Sequence, residues 1–191
     1  MSETPRLPLL SLEDAAKAAQ EMELPAPLAE LNVFRILLHQ PRVAKAISDL
    51  LMTLLFSGKL DHRVRELVIM RIGWATGSNY EWTQHWKIAQ EQFGTTAEEL
   101  LALRDWRASA LFDETDRAAL AAVDETLETG AISAETFARC RTLLGGVQET
   151  LELVAAISAW RSISQIARSI DIPLEEGVAS WPPDGTPSPQ A

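Results

Sequence analysis

Two side chains able to move protons, Glu66 and His85, flank a break of small residues in the stretch Leu60-Asp-His-Arg-Val-Arg-Glu66-Leu-Val-Ile-Met-Arg-Ile-Gly73-Trp74-Ala-Thr-Gly77-Ser78-Asn-Tyr80-Glu81-Trp82-Thr-Gln-His85-Trp86. The pattern reads as helix, tight break, helix. On the first helix Glu66 shares a face with Ile69, Met70 and Gly73, so its carboxyl emerges between apolar neighbours, a setting that disfavours the charged form. On the second, His85 follows Glu81 by four residues and Trp82 by three, which puts an acid, an aromatic ring and an imidazole on one side. A carboxyl in an apolar setting beside a histidine is the pair needed for general acid–base work near neutral pH. Each member also has a plain structural role: Glu81 as the third-position acid of a capping box begun by Ser78, Glu66 as the partner of Arg63 or another arginine, and the tryptophans 74, 82 and 86 as core or subunit contact.

Other chemistries lack their opening residues. His39, His62 and His85 show no HExxH spacing, and one cysteine cannot build a thiolate zinc site, so no metal is expected. Cys140 is that single cysteine, which excludes a two-thiol redox cycle within the chain. No G-x-S-x-G elbow, phosphate-binding loop or G-x-G-x-x-G occurs.

The elements that must position these residues are helices. The chain has 191 residues, 47% of them hydrophobic, enough for one helical core. No proline interrupts residues 42–172, whereas several precede that run and more crowd the end. Gly58, Gly94 and Gly130 follow apolar-periodic segments as helix stops, and Asp61, Ser78 with Glu81, Thr96 with Glu99, and Ser133 read as starts. The spacing predicts helices near 11–22, 26–39, 42–57, 62–76, 79–93, 97–109, 114–129, 134–144 and 147–169, in an all-α fold without strands. Residues 1–10 read as an arm, 11–172 as one helical domain, and 173–191 as a tail too rich in proline to join the core, with both ends free to cover a partner subunit. A net charge of -10 argues against nucleic acid and anionic lipid as partners, and no apolar run reaches the roughly 20 residues of a membrane span. No export leader is evident, so a cytoplasmic protein forming homo-oligomers is expected.

Arg65-Glu66-Leu67, the small-residue break and Tyr80-Glu81-Trp82-Thr83-Gln84-His85 together resemble the carboxymuconolactone decarboxylase and alkyl-hydroperoxidase D superfamily, over roughly Leu31 to Ile172. In its peroxidase branch a glutamate, a Cys-x-x-Cys pair and a histidine form the pattern; here Glu66 and His85 match, while Ser78 and Glu81 occupy the thiol places. The decarboxylase branch carries Arg-Glu and then Glu-x-x-x-His, which Glu66, Glu81 and His85 match. The resemblance implies an orthogonal helical bundle, a homo-oligomer, and a cofactor-free lyase or isomerase. Its small-molecule substrate would be a lactone or ring-cleavage acid of the kind met in aromatic catabolism. Glu66, His85 and Glu81 would be the catalytic residues, with Tyr80, Ser78, Trp82 and Trp74 near the substrate and Arg35 as a clamp for its carboxylate. Two alternatives stand beside it: a hydroperoxide reductase using Cys140, whose Arg-flanked place could lower its pKa, and a non-catalytic helical assembly protein.

Overall fold

The computed structural model describes residues 5–191; the first four residues of the expected arm lie outside the described residues. Among them run nine α-helices and no strand: α1 (Leu12–Glu21), α2 (Asn32–Leu37), α3 (Pro41–Phe56), α4 (His62–Ala75), α5 (Asn79–Gln92), α6 (Ala97–Ala102), α7 (Glu114–Thr129), α8 (Ala134–Leu143) and α9 (Val147–Ile170). Start signals act where side-chain oxygens reach orphan amides. Asp61 accepts from the Val64 amide, Ser133 from Thr136, and Thr96 with Glu99 closes a full capping box.

Helix α4 is central, packed against α5, α7 and α9. It is buried nearly all round, from Val64 through Met70 and again at Ile72, Gly73 and Trp74, so it carries no solvent stripe. Gly73 sits where α5 crosses it: a Cβ there would lie 3.0 Å from the Trp82 amide nitrogen. The close crossing brings the faces of Glu66 and His85 together.

Three expectations are corrected. The segment 26–39 is not one helix: residues Ala26–Glu30 form a 3-10 turn, and the chain is extended at Leu31 before α2 begins. The helix expected over 97–109 stops at Ala102 and runs on as a short 3-10 turn, Leu103–Asp105. The proline-rich tail does join the core. Trp181 is only 4% exposed, packed edge-on to Trp74 with ring centroids 5.8 Å apart, and the Trp82 indole N–H donates to the Pro182 carbonyl at 2.8 Å. Asp184 pairs with Arg104 through both guanidinium nitrogens, at 2.7 and 2.9 Å, and the Ser188 hydroxyl donates to the Trp74 carbonyl at 2.7 Å. Gly77, with φ of 67°, permits the tail to lie against the α4–α5 break, since a Cβ there would collide with the backbone of Gln190.

Candidate functional site

Helix α4 delivers Glu66 and helix α5 delivers Glu81 and His85 to one place. Glu66 is fully buried, and both of its oxygens are engaged. Oε1 accepts from Arg65 Nη2 at 3.1 Å and Nε at 3.3 Å, and Oε2 lies 2.8 Å from His85 Nδ1. Its cationic partner is therefore the neighbouring Arg65 rather than Arg63, which instead bridges Glu99 and Asp116.

The remaining ring nitrogen of His85 faces a residue that the sequence reading missed. Trp160 on α9 points its indole N–H at His85 Nε2, 3.2 Å away. An indole nitrogen can only donate, so Nε2 accepts and the ring proton resides on Nδ1, donated to Glu66. The carboxylate–imidazole–indole chain thus selects one neutral tautomer and one ring orientation. Helical periodicity places Trp160 on the buried face of α9 with Ile157 and Ile163, but no sequence spacing reveals where its N–H points.

Glu81 is 5% exposed, its carboxyl has no hydrogen-bond partner among the described residues, and Oε2 lies 4.0 Å from His85 Nε2. Ser78 makes no side-chain cap to α5, so the expected capping box is absent and Glu81 is not a capping residue. Burial disfavours its charged form, His85 partly offsets that, and the charge of Glu66 adds to it; the Glu81 pKa is pushed up to about 7. The acid held against ionisation in an apolar setting is thus Glu81, where the sequence pointed to Glu66. Burial also works against the His85 imidazolium, but the charge and hydrogen bond of Glu66, with the charge of Glu81, outweigh it and raise His85 above its ordinary value.

Glu81 and His85 line a cavity of about 330 Å³ walled by Val33, Phe34 and Leu37 of α2, Leu51, Met52 and Leu55 of α3, Ile88 of α5, and Trp160 and Ile163 of α9. Tyr80 also lines it, but its hydroxyl is committed, donating to Glu175 of the tail at 2.7 Å and accepting from the Val33 amide at 3.1 Å. Burial and then the charge of Glu175 raise its pKa well above 10, so it keeps its proton.

The other expected substrate contacts lie elsewhere. Arg35 donates to the Leu10 carbonyl and to Asn32 Oδ1, each at 2.8 Å, and does not line the cavity. Trp74 and Trp82 stack on each other and on Trp181 in a separate aromatic cluster. Ser78 is buried beside a second hollow of about 230 Å³ at the start of α5, lined also by Arg6 and Arg168. Cys140 is buried in the core with its thiol on the Ala118 carbonyl at 3.4 Å, and burial pushes its pKa up to about 11, against the lowering expected from its arginine neighbours.

Residues 41–125 match the model of the carboxymuconolactone decarboxylase family. An AhpD-type protein of unknown function from Agrobacterium tumefaciens is 27% identical, with 72% of this chain and 94% of that one covered and a TM-score of 0.64. An uncharacterized peroxidase-related protein with an alkylhydroperoxidase AhpD core, from Ralstonia eutropha JMP134, superposes over 98% of this chain and 100% of its own at a TM-score of 0.73 and 16% identity. The debrominase Bmp8, solved as a cysteine-to-alanine form with 2,3,4-tribromopyrrole, shares the fold at a TM-score of 0.66, with 18% identity and 86% of each chain covered. No curated protein matches the chain significantly. The matched segment spans α3 to most of α7 and holds Glu66, Glu81 and His85, and over it the chain is similar to the carboxymuconolactone decarboxylase family, within a fold shared with AhpD-type proteins.

Proposed function

We propose that the protein is a cofactor-independent acid–base enzyme of the lyase or isomerase type, acting on a small molecule held in the α2–α3–α5–α9 cavity. The observation that carries this is the juxtaposition of Glu81 and His85 Nε2, 4.0 Å apart on one cavity wall, with Glu66 behind the imidazole. A carboxyl pushed up to about 7 beside an imidazole whose pKa is raised by Glu66 provides the acid and the base that proton relocation requires.

In an isomerisation, the substrate displaces the Trp160 N–H from Nε2 of neutral His85, whose lone pair then takes a proton from a carbon next to a carbonyl, and the electron pair moves into the carbonyl to give an enolate. Glu66 stabilises the imidazolium so formed, and protonated Glu81 delivers its proton to the far end of the conjugated system. The His85 proton then crosses to Glu81, resetting both. In a lyase reaction of the elimination type, His85 takes the proton next to the carbonyl, the bond to the leaving group on the adjacent carbon breaks with its electron pair, Glu81 protonates that group, and the His85 proton then crosses to Glu81.

Solved relatives include peroxidase-related proteins and a debrominase, so the reaction class rests on this chain's own side chains and not on the fold. Thiol chemistry has little support: Ser78 and Glu81 stand in the thiol places, and Cys140 is buried outside the cavity. The test is a panel of small lactones and unsaturated ketones in D2O, followed by NMR for deuterium uptake or double-bond migration. His85→Ala and Glu81→Gln are each expected to lower the rate by about 10²–10⁴-fold, the usual worth of a positioned acid or base. Turnover near the wild-type level in both folded variants would overturn the proposal.

A further inference from the structure

The walls of the cavity say something about charge. None of the described residues lining it is a lysine or an arginine. The Arg65 guanidinium, its carbon 4.4 Å above the centre of the Phe93 ring, is buried and bonded to Glu66 and to the Leu54 carbonyl. Arg35, which the sequence offered as a carboxylate clamp, is tied to Leu10 and Asn32. His85 is no substitute, since any charge it carries already has the Glu66 carboxylate as its counter-ion, 2.8 Å from Nδ1.

An organic anion entering this space would lose its water without a free counter-charge and would meet Glu81. The groups that remain for recognition are neutral: the side-chain amides of Gln84 and Gln92, and Glu81 in its protonated form. Gln84 donates to Glu175, which also accepts from the Asn32 amide at 2.8 Å, so the tail holds that amide in place.

Resting on the acid–base reading above, we infer that the cavity selects an uncharged, mainly apolar carbonyl compound and rejects organic anions, so that the proton relocation acts on a neutral lactone, ketone or ester-like substrate and not on a free acid. Loss of CO2 from a substrate carboxylate is thereby disfavoured, and isomerisation, or elimination from a neutral carbonyl compound, is favoured. At about 330 Å³ the cavity lies at the small end of ligand pockets, which span roughly 300–1,000 Å³.

The test uses probes matched in shape and differing in charge: phenylacetamide against phenylacetate, and methyl cyclohexanecarboxylate against its carboxylate, with binding to the full chain followed by ligand-detected NMR at pH 6, where Glu81 keeps its proton and both acids are ionised. The neutral member of each pair is expected to bind at least about tenfold more tightly. Ile88→Arg, which sets a guanidinium in the wall, is expected to narrow or reverse that preference, and Leu51→Trp, which fills the space, to abolish binding. Equal or tighter binding of the anions to the wild-type protein overturns the inference. So does binding of neither member, or neutral binding that survives both Leu51→Trp and a second filling variant, Ile163→Trp. The two readings fail separately. A neutral preference with native turnover in Glu81→Gln removes the acid–base assignment, whereas loss of turnover in Glu81→Gln with anions preferred removes only the substrate class.

Discussion

At the residue scale, the unusual member of the site is Glu81, a carboxyl with no hydrogen bond beside an imidazole. Its pKa of about 7 in the folded protein against 4.5 when unperturbed makes it a liability above neutrality. Below pH 4.5 both folded and unfolded chains hold the proton and nothing is lost. As pH rises toward 7 the unfolded chain has released it while the folded chain retains it, so stability falls, levelling off above 7. The difference is on the order of 3 kcal/mol at about 1.4 kcal/mol per pKa unit. Glu81→Gln is therefore expected to raise Tm at pH 8.5 and to leave it nearly unchanged at pH 4; an equal effect at both would show that the carboxyl is not held protonated. Trp160→Phe keeps the ring and removes the donor that favours neutral Nε2, so the His85 pKa is expected to rise further, measured as an alkaline shift of its imidazole NMR titration. Cys140, buried with its pKa pushed up to about 11, is expected to resist thiol reagents in the native protein and to react once denaturant is added. Rapid native labelling would restore the thiol alternative.

At the element scale, the site depends on how closely α4 and α5 cross. Gly73→Ala places a methyl 3.0 Å from the Trp82 amide nitrogen, backbone that cannot swing aside. The expected result is a loss of about 1–3 kcal/mol in urea unfolding, with a weakened Glu66–His85 contact. Much of this level was legible in the sequence, because it is governed by local signals: apolar period, caps at Asp61 for α4, Thr96 for α6 and Ser133 for α8, and left-handed glycines Gly94 and Gly130 after α5 and α7. Ser78 shows where such signals end. It has the residue type and spacing of a capping box, yet its hydroxyl makes no cap and Glu81 turns toward the cavity. Gly58 was read as a left-handed stop, but the sterics there concern Glu152, whose carboxylate accepts from the Lys59 and Leu60 amides and would lie 2.7 Å from an added Cβ. Both outcomes hinge on partners distant in sequence.

At the scale of the whole molecule, the tail was the least legible part, since its hold is made of single long-range contacts and not of periodicity. Trp181 completes the Trp74–Trp82 cluster, and Glu175 ties α2 to α5 through the Asn32 amide and Tyr80. The apolar cavity was equally hidden: Glu66 and His85 stand out by type, but the walls from α2, α3 and α9 are ordinary core residues until the fold surrounds them. Trp181→Ala is expected to lower stability by up to about 3–5 kcal/mol, seen as a lower urea midpoint. Little change would mean that the tail is only loosely docked. Because these tryptophans are packed within the chain, they no longer argue for subunit contact, and homo-oligomer formation stands as a proposal that light scattering can decide. No helix among the described residues is long and apolar enough to cross a membrane.

Glu66 holds His85 in one tautomer, with the proton on Nδ1 and the lone pair of Nε2 turned to the Trp160 N–H at the cavity wall. The direct measurement is a 15N NMR titration of the His85 imidazole, assigned with His85→Gln, in the wild-type protein and in Glu66→Gln. The expected result is a proton on Nδ1, an unprotonated Nε2 in the neutral ring, and a raised pKa in the wild type that falls in Glu66→Gln, because burial and Arg65 then oppose the imidazolium with only Glu81 to favour it. A proton on Nε2 in the neutral ring, or a titration that Glu66→Gln leaves in place, would contradict it.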